Sequence, residues 1–256
     1  MEAFKHLLNR GLVVSAAEHL HAAWPAFDKR LFLRRATRGL EALELKARAM
    51  HIADALEATL PRHFGQACGV IERALAPTLE PGVPAPADES GLRGWIIWPL
   101  CEFVARRGLA EPDRALAALH ALTQRLSAEF AIRPLIVAHP AWVFATLQHW
   151  VHDPSAHVRR LVSEGSRPRL PWGIRLKALV DDPSPTLPLL LALQDDPSDY
   201  VRRSVANHLN DIAKDHPAIV EVPLRPRPVE DLTDDEVLEA LTRISQDPKF
   251  SADFLA

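Results

Sequence analysis

The sequence predicts an all-α solenoid of stacked helix pairs, on three observations. No run rich in Val, Ile and Thr alternates with period two, so no strand is expected. Proline is frequent (22) and glycine scarce (10), the balance given by many short helices each ended by a proline. The chain also repeats itself: HDPSAHVRRLVSEG (152–165) aligns with DDPSDYVRRSVANH (195–208), which sets Asp153 and Asp196 43 residues apart.

That spacing falls in the period of HEAT-type helix pairs, roughly 40–47 residues. Stacked pairs of this kind curve and leave a concave face of inner helices. A generic helical bundle is the alternative. Helical segments are expected in order at 27–40, 41–60, 63–76, 93–107, 112–126, 128–137, 141–151, 156–166, 172–180, 185–194 and 199–215. Between the third and fourth, EPGVPAPADESG (80–91) reads as a proline-rich loop. In GWIIWPLCEFV, Trp95 and Trp98 lie at i, i+3 and read as core. Asp-Pro-Ser recurs at 153, 182 and 196. Asp is expected to cap the helix there, Pro to fill the first turn where no N–H is needed, and Val-Arg-Arg to open the inner helix. PLRPRPVED (223–231) reads as an extended linker, because alternating prolines block helix. LTDDEVLEALTRISQD then reads as a short helix with Thr233 or Asp234 as N-cap. The expected division is a repeat domain over 1–220 and a linker with an acidic tail over 221–256.

Composition narrows the function classes. Two cysteines, Cys68 and Cys101, are too few for a disulfide framework or a four-cysteine zinc site, and read as buried thiols in a reducing cytoplasm. No signal peptide and no apolar run long enough to span a membrane is evident. No metal-binding His/Cys spacing, P-loop, dinucleotide-binding glycine pattern or Gly-x-Ser-x-Gly occurs, so neither metal nor organic cofactor is expected. His152, His157, His208 and His216 read as solvated or capping. The net charge of −3 hides an asymmetry: from Val229 onward eight acids face two bases, a tail of −6 on a body of +3. KRLFLRRATRG (29–39) is a basic run whose default reading is a solvated face, with phosphate contact the alternative.

At about 100° per residue with Arg203 at zero, Val201, Val205, Leu209 and Ile212 form the core stripe of the last helix. Asn210, Arg203, Lys214, Asn207 and Asp211 fall opposite, as one polar face. In the earlier repeat Arg160, Glu164 and Arg167 take the positions of Arg203, Asn207 and Asn210. Arginine, asparagine and lysine suit phosphate. Carboxylates do not, so Glu164 and Asp211 serve either to balance and orient the arginines or to meet a positive charge within a nucleic acid.

AEFAIRP (128–134), VRRLVSEGSRPRLPWG (158–173) and DYVRRSVANHLNDIAKDHP (199–217) closely resemble the AlkC branch of the AlkC/AlkD DNA alkylation repair proteins, which are HEAT-like-repeat DNA glycosylases. The resemblance covers most of residues 1–220. Some members carry a C-terminal immunoglobulin-like domain, whereas here the residues after 220 read as linker and tail. The resemblance implies a concave face that grips duplex DNA containing alkylated bases. It also implies hydrolysis of the N-glycosidic bond of cationic bases such as 3-methyladenine and 3-methylcytosine, with the lesion in or near the stack. Carried over residue by residue, Asp211, Glu164, Glu129 and Trp172 match the active-site positions. Arg160, Arg167, Arg203 and Asn207 match DNA-facing positions, and Asn210 and Lys214 share their face. The expected state is a cytoplasmic monomer, nucleoid-associated when acting. The rivals are a non-catalytic scaffold and a damage sensor that binds without cutting.

A cationic base leaves readily, so the sugar, oxocarbenium-like as the bond breaks, is what needs help. A carboxylate stabilises that charge and orients the attacking water. Asp211 is the first choice, with Glu164 beside it and Glu129 completing an acidic cluster whose members would raise each other's pKa. An indole face at Trp172 would hold the cation, worth roughly 0.5–2 kcal/mol. The alternative for Trp172 is packing between repeats.

Overall fold

In the computed structural model, which describes residues 4–78 and 90–221, the chain is helical and no strand occurs among the described residues. An isolated parallel bridge joins Leu75 and Leu92. The all-α repeat fold expected from the sequence is what is found. The chain divides into two compact units, Met1–Ala138 and His139–Ala256. The linker and the tail helix capped at Thr233 or Asp234 lie outside the described residues, as does most of the 80–91 loop.

The first unit holds α1 (Arg10–Ala23), α2 (Lys29–Thr37), α3 (Leu45–Glu57), α4 (Phe64–Ala74), α5 (Ile97–Arg107), α6 (Pro112–Thr123) and α7 (Ile132–Ala138). Helix α1 was not expected. Asn9 caps it by accepting from the Leu12 amide at 3.0 Å, and it buries Val13, Ala16, Ala17 and Leu20, an i, i+3, i+4, i+7 stripe. Helix α7 starts four residues later than expected, which leaves Glu129 in the turn before it. Helix α1 packs on α2, α2 on α3 and α3 on α5, while α4 packs on α1 and α6. Arg106 of α5 clamps α5 to α3, donating to Glu102 at 2.8 Å and to Asp54 of α3 at 2.6 Å. Trp98 is buried against Phe130, ring centres 5.2 Å apart, while Trp95 is half-buried. Cys68 and Cys101 are buried free thiols, and burial pushes the Cys68 thiol up to about 12.

The second unit holds α8 (Pro140–Trp150), α9 (Ala156–Gly165), α10 (Lys177–Asp181), α11 (Leu187–Leu193), α12 (Asp199–Ala213) and α13 (Pro217–Glu221). The expected segment 172–180 shrinks to the short α10, because residues 166–176 form a loop. Helix α9 packs on α12, α11 and α8. No helix among the described residues is long and apolar enough to cross a membrane.

The three Asp-Pro-Ser turns share one geometry, different from the cap expected. Each aspartate accepts from the amide of the serine two residues on: Asp153 from Ser155 at 2.8 Å, Asp182 from Ser184 at 2.9 Å, Asp196 from Ser198 at 2.8 Å. The aspartate therefore closes a turn ahead of the helix. Ser155 and Ser198 are the N-caps of α9 and α12, and Pro154 and Pro197 lie outside the first turn. The first arginine of each Val-Arg-Arg then folds back on its own turn, Arg159 to the Asp153 carbonyl and Arg202 to that of Asp196. Arg159 also reaches the next repeat, donating through Nε and Nη2 to the two carboxylate oxygens of buried Asp196 at 2.6 and 3.0 Å. The repeat is thus joined to its successor by a bidentate ion pair.

Candidate functional site

Helix α12 carries two polar stripes. Arg203, Asn207, Asn210 and Lys214 recur at i, i+4, i+7 and i+11 and are exposed. Ser204, His208 and Asp211 form a neighbouring stripe that is buried with Val201, Val205 and Ile212. Asp211 is 2% exposed, so it does not share the open face expected for it. Ser204 and His208 were missed as site residues. Their i, i+4, i+7 spacing with Asp211 is the signal in the sequence that places the three on one side of the helix. His208 is neither solvated nor capping: it is fully buried, its Nδ1 lies 2.9 Å from the Ser163 carbonyl, and burial pushes its pKa down to about 4. Its Nε2 has no hydrogen-bond partner. His216 does bond a helix-end carbonyl, that of Val180, at 2.8 Å.

The buried stripe faces the end of α9, where Glu164 is 5% exposed. Arg167 lies between the two carboxylates. It donates through Nη1 to Glu164 Oε1 at 2.6 Å and through Nε to Asp211 Oδ2 at 2.9 Å. The second oxygen of each acid is also engaged. Ser204 Oγ donates to Glu164 Oε2 at 2.6 Å, and Lys214 Nζ donates to Asp211 Oδ1 at 2.9 Å. Arg160 stands 3.7 Å from Glu164 Oε2 and stacks its guanidinium over the Tyr200 ring, 4.9 Å from the centroid.

Burial pushes the Asp211 carboxyl up, but the hydrogen bonds and charges of Arg167 and Lys214 outweigh it and hold the pKa below the ordinary aspartate value. Asp211 is therefore an anion at neutral pH, not a carboxyl raised by its acidic neighbour. The expectation of a raised carboxyl fails at Asp211 because the buried Arg167 guanidinium stands between it and Glu164. Burial likewise disfavours charge on Arg167, and the two carboxylates outweigh that too. Arg167, expected to face DNA, is buried and committed to these acids.

The loop after α9 is tied to α12 twice, by Arg167 to Asp211 and by Arg169 to Asp215, the latter through two bonds of 2.8 Å. Between these ties and α10 the loop presents Trp172, which is 65% exposed and so not a packing residue between repeats. Its φ of 65° lies in the left-handed region, the one non-glycine residue to do so among the described residues. A bulky residue there is strained by about 1–3 kcal/mol, which the anchored loop must offset. Gly173 N to Leu170 O at 3.2 Å and Leu176 N to Pro168 O at 3.2 Å close the loop around it.

Glu164, Asp211, Arg160, Arg167 and Lys214 are thus brought together, with Trp172 on the adjoining loop and Arg203, Asn207 and Asn210 on the exposed stripe beside them. Glu129 belongs to the first unit, where Ser127 Oγ donates to it at 2.8 Å.

No family model matches this chain. It is 40% identical over 223 residues to YhaZ, a protein of Bacillus subtilis (strain 168) described as uncharacterized, covering 86% of this chain and 58% of that protein. Its fold is similar to that of the Pseudomonas fluorescens alkylpurine DNA glycosylase AlkC, solved bound to DNA containing an abasic site analog. The TM-score is 0.77 at 35% identity, over 95% of this chain and 62% of that one. The chain therefore spans about three fifths of the length of each. In its motifs and in its fold, this chain is similar to AlkC.

Proposed function

We propose that this chain is a DNA glycosylase that removes cationic N-methylated bases, 3-methyladenine and 3-methylcytosine, by hydrolysing the N-glycosidic bond. The observation that carries the reading is the pair of buried carboxylates, Glu164 and Asp211, held from two successive repeats by Arg167. As the bond breaks, its electron pair leaves with the base and neutralises the base's charge, while positive charge builds on the sugar. Asp211, held ionised, stabilises that charge and orients a water whose oxygen bonds to C1′ as its proton passes to the carboxylate. Losing one such fixed charge or donor typically slows chemistry by about 10²–10³-fold. Glu164 shares this work.

Lys214 couples DNA binding to this chemistry. Its side chain is 61% exposed and lies on the outer stripe, yet its ammonium covers Asp211 Oδ1. A backbone phosphate that takes the ammonium uncovers the oxygen toward the sugar. Arg203, Asn207 and Asn210 hold neighbouring phosphates, Arg160 supports the same edge, and the exposed Trp172 indole meets the cationic base. The base need not leave the stack for this. The partner is duplex DNA with alkylated bases, bound by a monomer in the bacterial cytoplasm without metal or organic cofactor.

One observation favours a second reading. Every oxygen of Glu164 and Asp211 already has a partner, as in a cluster that only joins repeats. On that reading the chain is a scaffold or a sensor that binds damage without cutting. Incubating the chain with duplexes carrying 3-methyladenine or 3-methylcytosine separates the two. The glycosylase reading expects free base and an abasic strand at a rate above the uncatalysed one. Saturable binding with no base released would overturn it in favour of the sensor.

A further inference from the structure

We infer that the exposed face of α2, in the first unit, is a second seat for the phosphate backbone of duplex DNA, bound without regard to sequence. The choice of DNA as the polyanion rests on the proposed function. Arg30, Arg34, Arg35 and Arg38 are all exposed, and none meets a carboxylate or a carbonyl among the described residues. At about 100° per residue they fall within one face of about 140°, opposite buried Phe32 and Ala36. Lys29 is already paired with Glu18 at 2.8 Å, and Asp28 is spent capping the Leu31 amide at 2.9 Å. No acid lies between Asp28 and Glu41 to balance the four.

Several other arginines among the described residues are used internally. Arg48 binds three carbonyls, and Arg106, Arg159 and Arg167 each bind carboxylates. The α2 set serves no such purpose. Like charges at i, i+4 cost a helix a few tenths of a kcal/mol, so folding gives no reason for the arrangement and a bound polyanion relieves it. From Arg30 to Arg38, the residue just past the end of α2, the chain advances about 12 Å along the helix axis. One strand of DNA carries a phosphate about every 3.4 Å of axis, so that reach spans three or four phosphates. The planar guanidinium fork matches phosphate oxygens. A helix seated on a lipid surface would show bulky apolar residues beside its cations. Here Phe32 is buried and Leu31 and Leu33 are half-buried.

The test is binding of undamaged duplex DNA as a function of salt. Two triple variants are compared with the unsubstituted chain: Arg30→Gln with Arg34→Gln and Arg38→Gln, and lysine at the same three positions. Glutamine and lysine keep helix propensity near that of arginine. The glutamine triple is expected to make the slope of log K against log[salt] shallower by about 2–3, and the lysine triple to stay within about 1 of the unsubstituted slope. An unchanged slope in the glutamine triple overturns the inference. So does a lysine triple that falls as far as the glutamine one, because charge is then not what binds. The duplex carries no lesion, so absence of base release would sink the glycosylase reading and leave this slope in place, while an unchanged slope here leaves base release intact.

Discussion

Helix α9 and helix α12 both follow an Asp-Pro-Ser turn and both open on Val-Arg-Arg, yet α9 is buried from Leu161 to its end while α12 buries one stripe and exposes another. The difference follows from position in the stack. Helix α9 is covered by α8, α11 and α12, so even its glutamate is enclosed and must be partnered. Helix α12 has α9, α11 and α13 on its inner side and keeps Arg203, Asn207, Asn210 and Lys214 in the open. One repeat thus supplies an enclosed acid, and the next supplies both an enclosed acid and a polar edge facing solvent. Equivalent positions in a repeat are not equivalent chemically: Glu164 aligns with exposed Asn207, and buried Asp211 has no acidic counterpart.

The comparison breaks most visibly at the joint between the two repeats. Asp196→Ala removes the bidentate Arg159 pair together with the turn to Ser198, and is expected to cost about 3–4 kcal/mol in chemical unfolding. Next comes pH. His208 is neutral when folded and protonates in the unfolded chain below about 6.5. Between about 6.5 and about 4 the unfolded state binds the extra proton, so stability is full above that window and falls as pH drops, by up to about 3 kcal/mol. His208→Asn should flatten this slope. Asp211 acts lower, since its depressed carboxyl contributes stability above the ordinary aspartate value that is lost as pH falls through the folded one. Denaturant midpoints measured from about pH 7 down to about pH 2 check both.

Ser204→Ala takes away the hydrogen bond from α12 to Glu164 and should cost about 1–2 kcal/mol, with base release falling more than DNA affinity. Asp182→Ala, which loses a turn but no inter-repeat pair, should cost only about 0.5–1 kcal/mol. The difference from Asp196→Ala, about 2–3.5 kcal/mol, isolates what the inter-repeat pair contributes. On the exposed stripe, Arg203→Gln should leave stability within about 0.5 kcal/mol and reduce the salt slope of DNA binding by about 0.9.

The repeat and the helix order were legible because Asp-Pro-Ser and the prolines punctuate the chain. Helix α1 was not, since its buried stripe relies on alanines, which carry little apolar contrast. Helix-wheel angles placed Asp211 at the edge of the polar face, and only the neighbour α9 decides that this edge is buried. The same packing explains why Arg167, expected to face DNA, is turned inward: its partners Glu164 and Asp211 come from two repeats. The left-handed backbone at Trp172 had no sequence signal beyond its place between Pro171 and Gly173.

Asp211→Asn, assayed for single-turnover base release and for affinity on the same methylated duplex, tests the role of the buried pair most directly. Asparagine keeps the shape and an oxygen for Arg167 but removes the charge. Release should fall by at least about 10²-fold while affinity changes by no more than about 0.6 kcal/mol, roughly threefold. Undiminished release, or a loss of release matched by lost binding and a lowered melting point, would contradict the account and make the carboxylate structural.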